Sequence, residues 1–200
     1  VYETGQEALR LFSRSYDFID REPAEELVWF VMFMRRALDI VPGTLNDAVL
    51  HFDEGRALAG LAALGPAVPT ELVVDRGTGP DAVESTASIV LASGVLLRDF
   101  EWNITKIFAT RSARPTRISE HVAFVPSSRG VVVIAMSATM QEVARAAMDA
   151  ISFRQLVEVV GSLPSLESER DLDRKVQKAV RLLTLNGVLS HLVVTNSAEH

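Results

Sequence analysis

The chain has 200 residues, 48% of them hydrophobic and 23% charged, enough for one domain with a full core or for two small ones. It contains no cysteine, which excludes disulfides, thiolate metal sites and cysteine nucleophiles together; a cytoplasmic chain is the simplest expectation. The net charge of −6 divides into −8 over residues 1–100 and +2 over residues 101–200, so only the second half can offer a basic face to phosphates or acidic partners.

The first forty residues carry the helical period. In "GQEALRLFSRSYDFID", Leu9, Phe12, Tyr16 and Ile19 stand three or four residues apart. Pro23 suits the first turn of a second helix, with Glu25 and Glu26 near its positive end, running to about Ile40 before "VPG". Its middle, "LVWFVMFM" (Leu27–Met34), is apolar nearly all round, as in a helix buried on several sides or held in an oligomer interface. Trp29, Phe30 and Phe33 are the candidate interface residues, and a homo-oligomer or obligate complex is expected. The run is too short to span a bilayer, which takes roughly 20 apolar residues, so no membrane partner is expected. The N-terminus also lacks the basic start of a signal peptide.

"TLNDAVLHFDEGRALAGLAALG" is ambiguous, with a short helix expected over 55–64. Residues 65–87, holding Pro66, Pro69, Gly77, Gly79 and Pro80, form the best linker candidate, with a β-rich "ELVV" inside. Strand signals follow in "SIVLASGVLL" and "WNITKIFAT". "HVAFV" and "VVVIAM" flank the turn "PSSRG", which predicts a hairpin from His121 to Met136. Thr139 and Glu142 have the spacing of a capping box opening "MQEVARAAMDA". Phe153, Leu156, Val157 and Val160 fit one face of another helix, closed by Gly161 and Pro164.

The last helix, in "DLDRKVQKAVRLLTLNGVL", is the most patterned. Val176, Ala179, Val180 and Leu183 form an apolar stripe, and Arg174, Lys178 and Arg181 form a basic one at i, i+4 and i+7. The basic stripe is either a solvated face, a surface for an acidic partner or, with Lys175, a phosphate-reading face. Asp171 and Asp173 stand where a recognition helix would enter the groove, so duplex DNA ranks below a protein or peptide partner.

"ISFRQLVEVVGSLPSLESERDLDRKVQKAVRLLTLNGVL" resembles the compact winged-helix domains at the ends of larger bacterial proteins. These include peptide-recognition elements of modified-peptide biosynthesis and the terminal domains of JmjC-type cupin oxygenases. Phe153, the set Leu156, Val157 and Val160, Gly161, and Leu183 with Gly187, Val188 and Leu189 carry the resemblance, over about residues 121–195. It implies a leader peptide added as a strand to the 121–136 hairpin. It carries no catalytic residue onto this chain.

His51 and Asp53 form an H-x-D pair with His121 downstream, so a two-His-one-carboxylate iron site can be drawn. The residues after Asp53 look helical, whereas such a site needs a strand rim. No metal, cofactor or catalytic residue is therefore expected. The expectation is an α+β fold: a helical region over 1–65, a linker and β-containing region over 66–120, and a winged-helix-like domain over 121–200. The expected function is a non-catalytic binding or accessory protein, ranked above a DNA-binding regulator and an Fe(II)-dependent oxygenase or a fragment of one.

Overall fold

The structure is a computed structural model and describes residues 23–64, 87–110, 112–162 and 171–193. In chain order these form α1 (Pro23–Ala37), α2 (Leu45–Leu64), β1 (Ala87–Leu91), β2 (Leu96–Phe100) and α3 (Ile104–Ala109). There follow β3 (Glu120–Ser127), β4 (Gly130–Met136), α4 (Ala138–Ala146), α5 (Phe153–Gly161), α6 (Leu172–Leu185) and β5 (Leu189–Val193). Helices and antiparallel sheets together make an α+β fold. The periodic segment before Pro23, "ELVV" and Pro164 lie outside the described residues. The chain divides into two compact units, each discontinuous in sequence: residues 1–65 with 96–135, and residues 66–95 with 136–200. The sequential reading placed its boundaries at 65/66 and 120/121 instead.

The first unit packs α2 against a sheet ordered β2-β3-β4, and α1 against α2. β2 and β3 are antiparallel, with Leu96 opposite Phe124 and Phe100 opposite Glu120. The hairpin expected from the "PSSRG" turn is β3–β4. Helix α2 is a single element of 20 residues, correcting the short helix expected over 55–64. Two features extend it. The Thr44 hydroxyl accepts from the Asp47 amide at 3.3 Å, and the Asp47 carboxylate accepts from the Gly43 amide at 3.0 Å, capping the start. It is also buried on two sides, so no single apolar stripe announces it. Ala48, Phe52 and Ala59 join Phe100, Ile104, Val122 and Phe124 in one core cluster. Leu50 and Ala57 are buried as well, and they share a side of α2 with Asp47 and Glu54. Arg35 of α1 reaches those two carboxylates at 3.9 and 3.5 Å, so that side faces α1.

"WNITKIFAT" is not a strand, despite its β-branched residues. Residues 104–109 form α3, because tertiary contacts override local propensity. Ile104 is fully buried, and Glu120 on β3 supplies the missing cap. Its carboxylate accepts from the Thr105 amide at 2.9 Å and from the Thr105 hydroxyl. Asn103, at the N-cap position, is engaged elsewhere: its amide group bridges the Arg114 carbonyl and the Thr116 amide.

The second unit gathers α4, α5 and α6 around Val143, Ala144, Leu156, Val160, Val176 and Leu183, all fully buried. Helix α4 is capped by Ser137, whose hydroxyl accepts from the Met140 amide, not by the expected Thr139–Glu142 box. Thr139 falls one residue inside the helix. The reciprocal box occurs at α5, where Ser152 and Gln155 each satisfy the other's backbone amide. Helix α6 ends in a Schellman motif: Val188 donates to the Leu183 carbonyl at 2.8 Å and Gly187 to the Thr184 carbonyl at 3.0 Å. Gly187 takes φ of 73°, which the Asn-Gly turn supplies at little cost, and the chain enters β5. β5 pairs antiparallel with β1, from Ala87 opposite Val193 to Leu91 opposite Leu189. On its other side β1 bridges Ile151 through two hydrogen bonds, Ile89 to Ile151 and back, at 2.7 and 2.9 Å.

Candidate functional site

Helix α6 presents the residues singled out for partner binding. Its apolar stripe, Val176, Ala179, Val180 and Leu183, is buried, so the opposite face must be solvated. Arg174, Lys178 and Arg181 are all exposed, and no ion pair joins them to other described residues. Leu185 continues the same line at i+11 and is 74% exposed, with Leu182 beside it also exposed. The face is therefore three cations followed by an apolar end. Asp171 and Asp173 are exposed at the opposite end. The helical period alone puts the three cations on the exposed side, but Leu185 is hidden in the sequence, since only packing shows which leucines of "RLLTL" stay outside.

The first unit holds an open groove of about 440 Å³ between α2, α3 and β4. Phe52 and Phe108 form its apolar base, stacked with ring centroids 4.2 Å apart, and Phe108 remains 40% exposed. Val131, Val133 and Ala135 line it from β4, while Arg56 and Lys106 supply two cations. Arg56 also acts on Asp53, whose carboxyl is pushed above its ordinary value of 3.8 by burial, with Arg56 offsetting part of the rise. None of the lining residues was singled out from the sequence. Lys106 and Phe108 belong to a segment that reads as a strand, and only α3 brings them to Phe52.

His51, Asp53 and His121 are not brought together as ligands; among the described residues no cluster of three or more His, Cys, Asp or Glu side chains could hold a metal ion. The H-x-D pair is on α2, where residues two apart point to different sides. His51 instead lies 3.5 Å from Asp47 and 3.4 Å from Glu54 along its own helix. His121 on β3 meets its cross-strand neighbour Asp99 at 2.8 Å.

On α1, Val31 is buried and Phe30 and Phe33 are half-buried, while Trp29 is 47% and Met32 52% exposed. No helix among the described residues is long and apolar enough to cross a membrane. Compared with known proteins, the chain matches no protein-family model and no curated protein sequence.

Proposed function

We propose that this chain is a non-catalytic binding protein that presents the α6 face of a winged-helix-like unit to a protein or peptide partner in the cytoplasm. The carrying observation is the line Arg174, Lys178, Arg181 and Leu185 on the solvent side of a helix whose other side is fully packed. Cations steer an acidic partner during encounter, and an exposed leucine at the end of the line gives the docked complex apolar area to bury. The order helix α4, bridge at Ile151, helices α5 and α6, then strand β5 supports the winged-helix-like reading. Here β1, from far upstream, fills the position between Ile151 and β5.

The DNA-binding alternative draws on the same cations together with Lys175. It ranks lower because Asp171 and Asp173 crowd the helix end that would approach phosphates, and a bare Leu185 gains nothing from them. The oxygenase alternative draws no support from the placement of His51 and Asp53 along one helix. For α1, the half-open apolar set Trp29, Phe30, Met32 and Phe33 supports self-association through that helix.

A photo-reactive residue in place of Leu185 tests the reading in the native host. It should crosslink a protein, and the crosslink should fade when Lys178→Glu and Arg181→Glu are added. Crosslinking to nucleic acid instead would overturn it.

A further inference from the structure

Of the four asparagines in the chain, only Asn186 is followed by glycine. Asparagine is a thermally labile side chain, because the next backbone nitrogen can attack its amide carbon. Glycine, with no Cβ, leaves that nitrogen unshielded and the backbone free to bring it round. Asn186 and Gly187 are both exposed, at the joint between α6 and β5, so water reaches them.

The joint as folded keeps the reacting atoms apart. The Gly187 amide donates to the Thr184 carbonyl at 3.0 Å, so the attacking nitrogen is held in the helix cap. The Asn186 side-chain amide donates to the Leu182 carbonyl at 2.7 Å, which fixes the group to be attacked. Asn186 has ψ of 4°, which aligns the Gly187 nitrogen with the Asn186 nitrogen rather than with Cβ. Closing a five-membered ring needs that nitrogen on the Cβ side, about a third of a turn away. Such a rotation breaks the Schellman bonds of Gly187 and Val188. It is resisted by Val188, fully buried, and by Leu189, buried and paired with Leu91.

We propose that Asn186–Gly187 is a self-modifying site, gated by opening of the α6–β5 joint, where the asparagine is converted into aspartate and isoaspartate. When the joint opens, the Gly187 nitrogen bonds to Cγ of Asn186 and the Cγ–Nδ2 bond breaks. The displaced nitrogen leaves as ammonia, taking the Gly187 proton through solvent, and a cyclic imide remains. Water then adds to either imide carbonyl and opens the ring to one acid or the other, with nothing oxidised or reduced.

Neither product rebuilds the cap. Aspartate loses the amide donor to Leu182 and puts a carboxylate at the negative end of α6. Isoaspartate adds a methylene to the main chain, which displaces the amides of the Schellman motif and the register of β5 on β1. The change is one-way, so each converted chain records a past opening of this joint. The site is independent of what the α6 face binds.

The test ages the full chain at mildly alkaline pH, folded or in urea, and follows amide-to-acid conversion at all four asparagines by peptide mass spectrometry. In urea Asn186 should convert first and give both isomers, each carrying oxygen from isotopically labelled water. The folded chain should convert there at least about tenfold more slowly. Sub-denaturing urea should speed conversion in step with hydrogen exchange at the Gly187 and Val188 amides. Leu189→Ala, which loosens the first residue of β5, should speed both alike. In converted chains the β1 amides, residues 87–91, should exchange faster than in the parent. Equal rates in the folded and unfolded chain would overturn the gating, as would conversion that does not follow exchange at Gly187 and Val188. An Asn186 that stays intact in urea, or that yields aspartate alone, would overturn the site itself.

Discussion

A Cβ built on Gly55 would stand 2.6 Å from Cε2 of Phe124, and Phe124 is fully buried, so the ring has no free space to retreat into. The helix needs glycine there because α2 lies directly on the β3 aromatic. Gly55→Ala should therefore destabilise the first unit by about 1–3 kcal/mol, the usual cost of overpacking, despite the better helix propensity of alanine. Urea unfolding would read this as a lower midpoint at unchanged slope. Two residues earlier, Asp53 gives a pH signature. Its folded carboxyl is raised by burial, with Arg56 opposing, so the protonated form is the one the fold favours. That contribution is fully present below the ordinary value of 3.8 and is lost as pH rises through the folded value. Asp53→Asn should melt higher than the parent at neutral pH, and the gain should vanish at pH values below 3.8. An equal melting temperature at neutral pH would show that Arg56 fully compensates the burial.

Among the elements, α3 depends most on a distant residue. Its first turn is held by Glu120 across 15 positions of sequence, while its own N-cap residue, Asn103, serves the 114–116 segment. Glu120→Ala should cost about 0.5–2 kcal/mol, as for loss of a helix cap, and speed hydrogen exchange in α3 before the rest of the unit. This dependence explains why "WNITKIFAT" reads as a strand: its residue types favour one, and the carboxylate that makes it a helix is not local. Helix α6 is the opposite case. Its apolar stripe, its Asn-Gly stop and its basic stripe are all local signals, and each stands in the structure where the period places it. The exposed candidates Arg174, Lys178 and Arg181 were legible for that reason. The groove was not, because Phe52, Arg56, Lys106 and Val133 come from three separate elements. The position of β1 was equally hidden. "SIVLASGVLL" supplies two neighbouring strands, but β1 pairs with β5 and β2 with β3, so adjacent sequence serves different sheets.

Across the whole molecule, the −8 and +2 balance of the two halves does not map onto two sequential domains, since each unit draws on both halves. Association therefore has to be argued from faces. If α1 pairs with a second copy, light scattering should give twice the chain mass, falling to one in Trp29→Glu, Met32→Glu; a strictly monomeric parent would remove α1 from the account. Whether the α6 face takes a peptide or a duplex is read by fluorescence anisotropy. The full chain is titrated with a labelled DNA duplex and with labelled acidic, leucine-bearing peptides at about 0.15 M salt. Peptide binding is expected, with association slowed by Lys178→Glu and Arg181→Glu more than dissociation is speeded, and with Leu185→Ala acting on dissociation. The duplex should bind weakly or not at all. Tight duplex binding at that salt, with a salt slope that falls by about two when Lys178 and Arg181 become alanine, would make α6 a DNA-reading helix instead.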